Sequence, residues 1–161
     1  MVQLAPYDRE AYLAFHLLAY REDLELSRTL LARSPRWSII TGYYAMHNLA
    51  KLYLGAEHGI RITGEHIHES VVRELDKALR HTSERKRLLD LLATADAAFK
   101  GLQQPREVAE LLERGRRNRS AANYYLREGS TAIVQMDQAK QFQDGVVKVF
   151  VAIMERMTDA A

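Results

Sequence analysis

The chain has no cysteine, which excludes disulfides, thiolate zinc sites and cysteine nucleophiles and leaves the redox compartment unmarked, with an intracellular one as the default. Only 3 prolines and 8 glycines punctuate 161 residues, and no alternating strand pattern of useful length occurs, so the fold class is all-α. A net charge of +2 gives a whole-molecule field too weak to argue for nucleic-acid binding by itself; such an argument has to rest on local clusters. Long apolar runs are missing as well. Asn48 and Lys51 interrupt the longest candidate membrane span and Lys148 the next. Met1 to Glu10 lacks the basic stretch and apolar core of a secretory signal, so the expectation is a cytoplasmic protein without a membrane role.

What is present is helical periodicity. A chain of this length can bury about 70% of its unfolded surface in one domain, and the pattern predicts a single-domain up-and-down bundle of five to six helices. The first runs from about Tyr7 to Arg33, with Ala11, Ala14, Phe15, Leu18, Leu26 and Leu30 as its inward stripe. Ser34 caps the second, and Pro35 takes the first helical position, where a missing N–H is harmless. This second helix reaches about Glu57, before Gly59. Small and aromatic residues lie on nearly every side of it, so it is expected to be the buried central helix.

The stretch His58 to Gly64 is expected to be a floppy loop. Ile67, Val71, Leu75 and Leu79 form one face of a third helix, which breaks at His81-Thr82-Ser83. Leu88, Leu91, Leu92, Ala95, Phe99 and Leu102 mark a fourth, and Pro105 opens a fifth carrying Val108, Leu111 and Leu112 inward. The last helix sets Ala139, Phe142, Val146, Phe150, Ile153 and Met157 on one stripe, with Lys140, Gln143, Asp144, Lys148 and Glu155 elsewhere.

Four of the six residues from Arg114 to Arg119 are arginine, and guanidinium groups hold phosphate oxygens through two parallel charge-assisted hydrogen bonds. On a helix Arg116, Arg119, Asn123 and Arg127 share one face, and Arg114, Arg117, Ala121 and Tyr124 the adjacent one. Tyrosines beside the arginines add rings on which bases stack. A solvated basic face is the plain alternative. A second basic run, Arg85-Lys86-Arg87 after Arg80, is offset by Glu84 and Asp90 and reads as a wet face.

The histidines do not assemble a metal site. On a helix His66 and His68 point about 200° apart, so only Glu65 and His68 could form a Glu-x-x-His pair, and no second such pair exists. No metal or other cofactor is expected. His47 and Asn48 lie inside the buried helix, where polar side chains find partners or cost about 1–3 kcal/mol each; an internal hydrogen bond or helix-to-helix contact is the favoured role, ahead of catalysis. Serine elbows and phosphate-cradling glycine loops are absent.

Tyr43-Tyr44-Ala45-Met46 followed by Ala50-Lys51 resembles the Tyr-Tyr-Ala-Met-Phe-His-Ala-Ala-Lys stretch of HEPN-domain proteins, small prokaryotic helical bundles. His68-x-x-Val-Val in the third helix, Arg119-Ser-Ala-Ala-Asn-Tyr against the family's Arg-x-x-Ala-Asp-Tyr, and the final helix from Ala139 with Phe142 extend the likeness from Trp37 to Met157. The resemblance implies a bundle that forms a homodimer, is often encoded beside a minimal nucleotidyltransferase, and belongs to a toxin–antitoxin pair. Some members are metal-independent ribonucleases with an Arg-x(4-6)-His motif. There histidine exchanges a proton with the ribose 2′-hydroxyl and arginine steadies charge on phosphorus.

Here Arg117-Asn118 makes the start of that motif, but Ala122, Asn123 and Tyr124 stand where the histidine belongs, and His47-Asn48 replaces the family's Phe-His. Asparagine cannot carry the proton. The leading expectation is therefore a binding protein for RNA or a nucleotide, partnered by a nucleotidyltransferase, using Arg114, Arg116, Arg117, Arg119, Asn123 and Tyr124. A ribonuclease using Arg117 and His47, and a protein-interaction module with an arginine face, are the alternatives.

Overall fold

The computed structural model describes residues 2–103 and 136–158. The fifth predicted helix, and with it all six residues of the expected nucleic-acid site, lies outside those residues. The described part is an all-helical bundle with a two-stranded ribbon. In chain order it contains β1 (Val2–Gln3), α1 (Pro6–Leu30), α2 (Pro35–His58), β2 (Ile60–Arg61), α3 (Ile67–Ala78), α4 (Arg85–Gln103) and α5 (residues 136–157, of which Gln143–Val147 are wound as a π-helix and Lys148–Met157 as an α-helix).

Helix α2 is the central element, as its composition predicts. Tyr43, Ala45, Met46, His47, Leu49, Ala50, Leu52, Tyr53 and Leu54 are all buried, and α1, α3, α4 and α5 pack around it. Pro35 stands in its first turn and Ser34 at its N-cap, although the Ser34 side chain makes no capping bond. Gly59 ends it in the left-handed region (φ 62°), a conformation that glycine adopts without a Cβ clash, and its N–H bonds back to the Leu54 carbonyl.

The expected stripes of α3 and α4 point inward: Val71, Leu75, Leu79, Leu88, Leu92, Ala95 and Phe99 are buried. Two other expectations are corrected. The stretch after α2 is held in place, because Ile60–Arg61 pairs antiparallel with Val2–Gln3, the Leu4 N–H bonds to the Gly59 carbonyl at 2.7 Å, and Ile62 is buried. Two residues are too short a strand to leave an alternating pattern. In α1 the apolar stripe is turned the other way. Ala11, Ala14, Phe15, Leu18 and Leu26 are exposed and Leu30 is half-buried, while His16, Tyr20, Leu24 and Ser27 face the bundle.

The rotation of α1 has a local cause. Helix α2 offers it small residues and polar groups that need partners. A Cβ on Gly42 would lie 2.8 Å from Ser27 Oγ, so the two backbones approach closely there. Ser27 Oγ donates to the Ser38 carbonyl and Ser38 Oγ donates to the Ser27 carbonyl, each at 2.6 Å. Gln143 of α5 was expected away from the inward stripe; it is buried instead, donating its amide to Ser27 Oγ and, at 3.3 Å, to Ser38 Oγ. Gln143 stands four residues after Ala139 and seven before Phe150 and shares their inner face, at the start of the π-helical turn from Gln143 to Val147.

Candidate functional site

Three helices bring the chain's chemically versatile rings together. Tyr43, His47 and Lys51 follow one another at steps of four along α2, on one face. His68 comes from the first turn of α3, and Asp96 and Phe99 from α4. Tyr43 and Phe99 stack nearly parallel, 4.2 Å between ring centroids at 9°. The His47 ring sits 4.5 Å from Tyr43, and His68 meets His47 edge-on at 4.6 Å and 89°. The Tyr43 hydroxyl donates to Asp96 at 3.3 Å, and Asp96 is in turn paired with Lys100 at 2.7 Å.

The electrostatics follow from burial. Desolvation pushes His47 down to about 3, with the neighbouring His68 and Lys51 charges pressing the same way. Burial also lowers His68 and Lys51, and burial with the adjacent Asp96 carboxylate raises Tyr43. At neutral pH both imidazoles and the phenol are uncharged. His47 is 1% exposed, and among the described residues neither of its ring nitrogens, nor Nδ1 of His68, has a hydrogen-bond partner. Among the described residues His47 makes no hydrogen bond and takes the other expected role, a helix-to-helix contact, through its ring against His68 of α3.

Asn48 does take the expected helix-to-helix role. Its amide donates to Asp23 at 2.9 Å, which fixes Oδ1 as the acceptor for His16 Nδ1 at 3.0 Å. Burial pushes His16 down to about 4 and raises Asp23, so this bridge between α1 and α2 also contains a neutral imidazole.

As a chemical centre the ring cluster is closed. A histidine that stays neutral to about pH 3 is a poor proton donor at neutral pH, and burial of both nitrogens keeps a ribose hydroxyl out of reach. The Glu65–His68 pair is not built, because α3 begins only at Ile67, which leaves Glu65 before the helix. Among the described residues no three histidine, aspartate or glutamate side chains converge as metal ligands. The second basic run is an exposed, paired surface: Arg85 meets Asp76 at 2.6 Å and Lys86 meets Asp90 at 2.8 Å.

Sequence reasoning named His47 but not its partners. Tyr43 and His47 at i and i+4 on one helix was the readable signal; the stacking of Phe99 and the bond to Asp96 depend on how α4 docks. None of the described helices is long and apolar enough to cross a membrane. In comparisons with known proteins the chain matches no family model, no curated protein and no solved structure.

Proposed function

We propose that this chain is a HEPN-like binding module, a homodimer that holds RNA or a nucleotide without cleaving it and works as the partner of a minimal nucleotidyltransferase in a toxin–antitoxin type of system. The observation that carries the noncatalytic part is the closure of His47. His47, the histidine next to the family-like stretch, is 1% exposed, packed among rings and neutral at physiological pH, which speaks against its standing in for the histidine missing after Arg117. Support for binding comes from the sequence: Arg114, Arg116, Arg117 and Arg119, with Asn123 and Tyr124 on the same two helical faces, supply forked phosphate donors beside a stacking ring.

The test is RNA binding as a function of salt. The double variant Arg116→Glu/Arg119→Glu weakens binding and lowers the slope of log affinity against log salt by about 1.4 for single-stranded RNA, since two phosphate contacts and their released counterions are lost. Unchanged affinity and slope overturn the binding reading. RNA cleavage by the purified protein that disappears in His47→Ala overturns the noncatalytic one.

A further inference from the structure

The six lysines of the chain are all described, and one differs from the rest. Lys77, Lys86, Lys100 and Lys148 are exposed and ion-paired, with Glu74, Asp90, Asp96 and Asp144 at 3.0, 2.8, 2.7 and 2.5 Å. Lys140 is exposed. Lys51 alone is part-buried, and among the described residues no acid stands against it; burial is what lowers it.

The packing of α2 explains the missing acid. One turn away on the same helix stand His47, Asn48, Leu54 and Gly55, none of them charged at neutral pH. Tyr12 and Leu13 of α1 close over Gly55, and the Lys51 charge is felt by His16 of α1, His47 of α2 and His68 of α3. The nearby carboxylates are used elsewhere: Asp23 accepts from Asn48 at 2.9 Å, and Asp96 of α4 is shared by Tyr43 and Lys100. The Lys51 ammonium thus has imidazoles for neighbours, and both nitrogens of His47 and Nδ1 of His68 are buried without a partner.

We propose that Lys51 is a site of covalent modification, the amine at which this chain is acylated by a small activated acyl donor, an acyl phosphate or an acyl thioester. This modification is independent of RNA binding. The Nζ lone pair of the uncharged amine attacks the acyl carbon and forms a C–N bond. The bond from that carbon to the phosphate oxygen or the sulfur breaks, the leaving group departs with the electron pair, and the surplus proton on nitrogen passes to water. Two features select Lys51. Attack needs the uncharged amine, which partial burial without an anionic partner favours, whereas the carboxylates beside Lys86 and Lys100 favour the ammonium. Acylation also breaks an ion pair at each of the four paired lysines and none at Lys51.

The product is a charge switch. The Lys51 ammonium presses His16, His47 and His68 down together, and an amide carries no charge, so acylation lets all three rise. A mark made at the surface is thereby felt inside the ring cluster.

The test treats the full chain with acetyl phosphate and, in a parallel arm, with acetyl coenzyme A, at about pH 7.5 and about pH 10.5. Acetylation is followed lysine by lysine by mass spectrometry, each rate divided by that of the same lysine in the guanidinium-unfolded chain. At the lower pH Lys51 is expected to react several-fold faster than Lys140. At the higher pH, where both amines lose their proton, its part-burial brings it level with Lys140 or behind. Reaction with one donor only identifies that donor; reaction of Lys51 with neither overturns the proposal. So does a Lys51 rate at or below that of Lys140 at the lower pH, or a lead that persists at the higher one and so reports access rather than charge. The switch is read by NMR titration of His68, whose pKa rises in the acetylated chain and in Lys51→Gln and stays in Lys51→Arg. An unmoved His68 in the acetylated chain overturns it.

Discussion

Protonating His47 should open the bundle, and the structure fixes how much that costs. The ring is buried without a hydrogen-bond partner among the described residues and is pushed down to about 3, against about 6.5 in an unfolded chain. Since the folded value is the lower one, the unfolded state binds the proton first. His47 contributes no pH dependence well above pH 6.5; its penalty begins as pH falls below that value and saturates near 3. Integrated from about pH 7.5 down to about 4.5, the loss is about 3 kcal/mol, a large share of a small domain's stability. Carboxylates and the other histidines titrate over the same range, so the measurement is a difference between two proteins. Urea unfolding at both pH values is compared for the parent and for His47→Phe, which keeps a ring in the cluster and cannot be protonated. The variant should lose about 3 kcal/mol less than the parent between the two pH values. At neutral pH the variant's stability combines a gain from deleting two unpartnered nitrogens with a cost from the larger ring, so only the pH difference is diagnostic. Equal losses for the two proteins refute the description of His47 as a neutral residue of the core.

Gly42→Ala should destabilise by about 1–3 kcal/mol in the same urea assay, although alanine is the better helix former, because its Cβ would meet Ser27 Oγ at 2.8 Å and Val147 Cγ2 at 3.0 Å. Asn48→Ala removes the group that joins His16 to Asp23 and should cost about 1–3 kcal/mol, while Asn48→Asp should raise the His16 pKa above its value of about 4, read by NMR titration. Gln143→Leu deletes the amide that reaches Ser27 and Ser38 and should likewise lower stability, by about 1–2 kcal/mol; no change in the urea midpoint would mean that the two serines satisfy each other without it.

Much of α2 was legible because several local signals agreed along it. A proline suited to the first turn, a glycine suited to the left-handed stop, and apolar or small residues on every side left one consistent answer, a central helix from Pro35 to His58. The stripes of α3 and α4 were legible for the related reason that each has one apolar face, buried on the inner side of the bundle. The ring cluster was not. Its members come from three helices and meet only because α3 and α4 dock on the same side of α2, a tertiary fact that no spacing within one helix encodes. Gln143 was misplaced because a polar side chain was taken for a surface one; a period of 3.6 residues already sets it one turn from Ala139 and two from Phe150 on the inner stripe, where serines give its amide partners.

Helix α1 makes a different point about what periodicity measures. The rule that the apolar stripe faces inward presumes a single interface, and α1 has two unlike faces with polar and apolar residues on both. The inner one is held by groups that are specific rather than apolar: the Ser27–Ser38 exchange, the His16–Asn48–Asp23 bridge, and Tyr20 donating to Glu155 at 2.8 Å. Such bonds cost more to break than they contribute to make, so they fix the rotation of α1 about its axis even when more apolar area would be buried by turning it over. A stripe left outside by that choice is exposed because polar groups elsewhere demanded partners, so the exposure of Phe15 and Leu18 measures the strength of the polar contacts that set the rotation of α1.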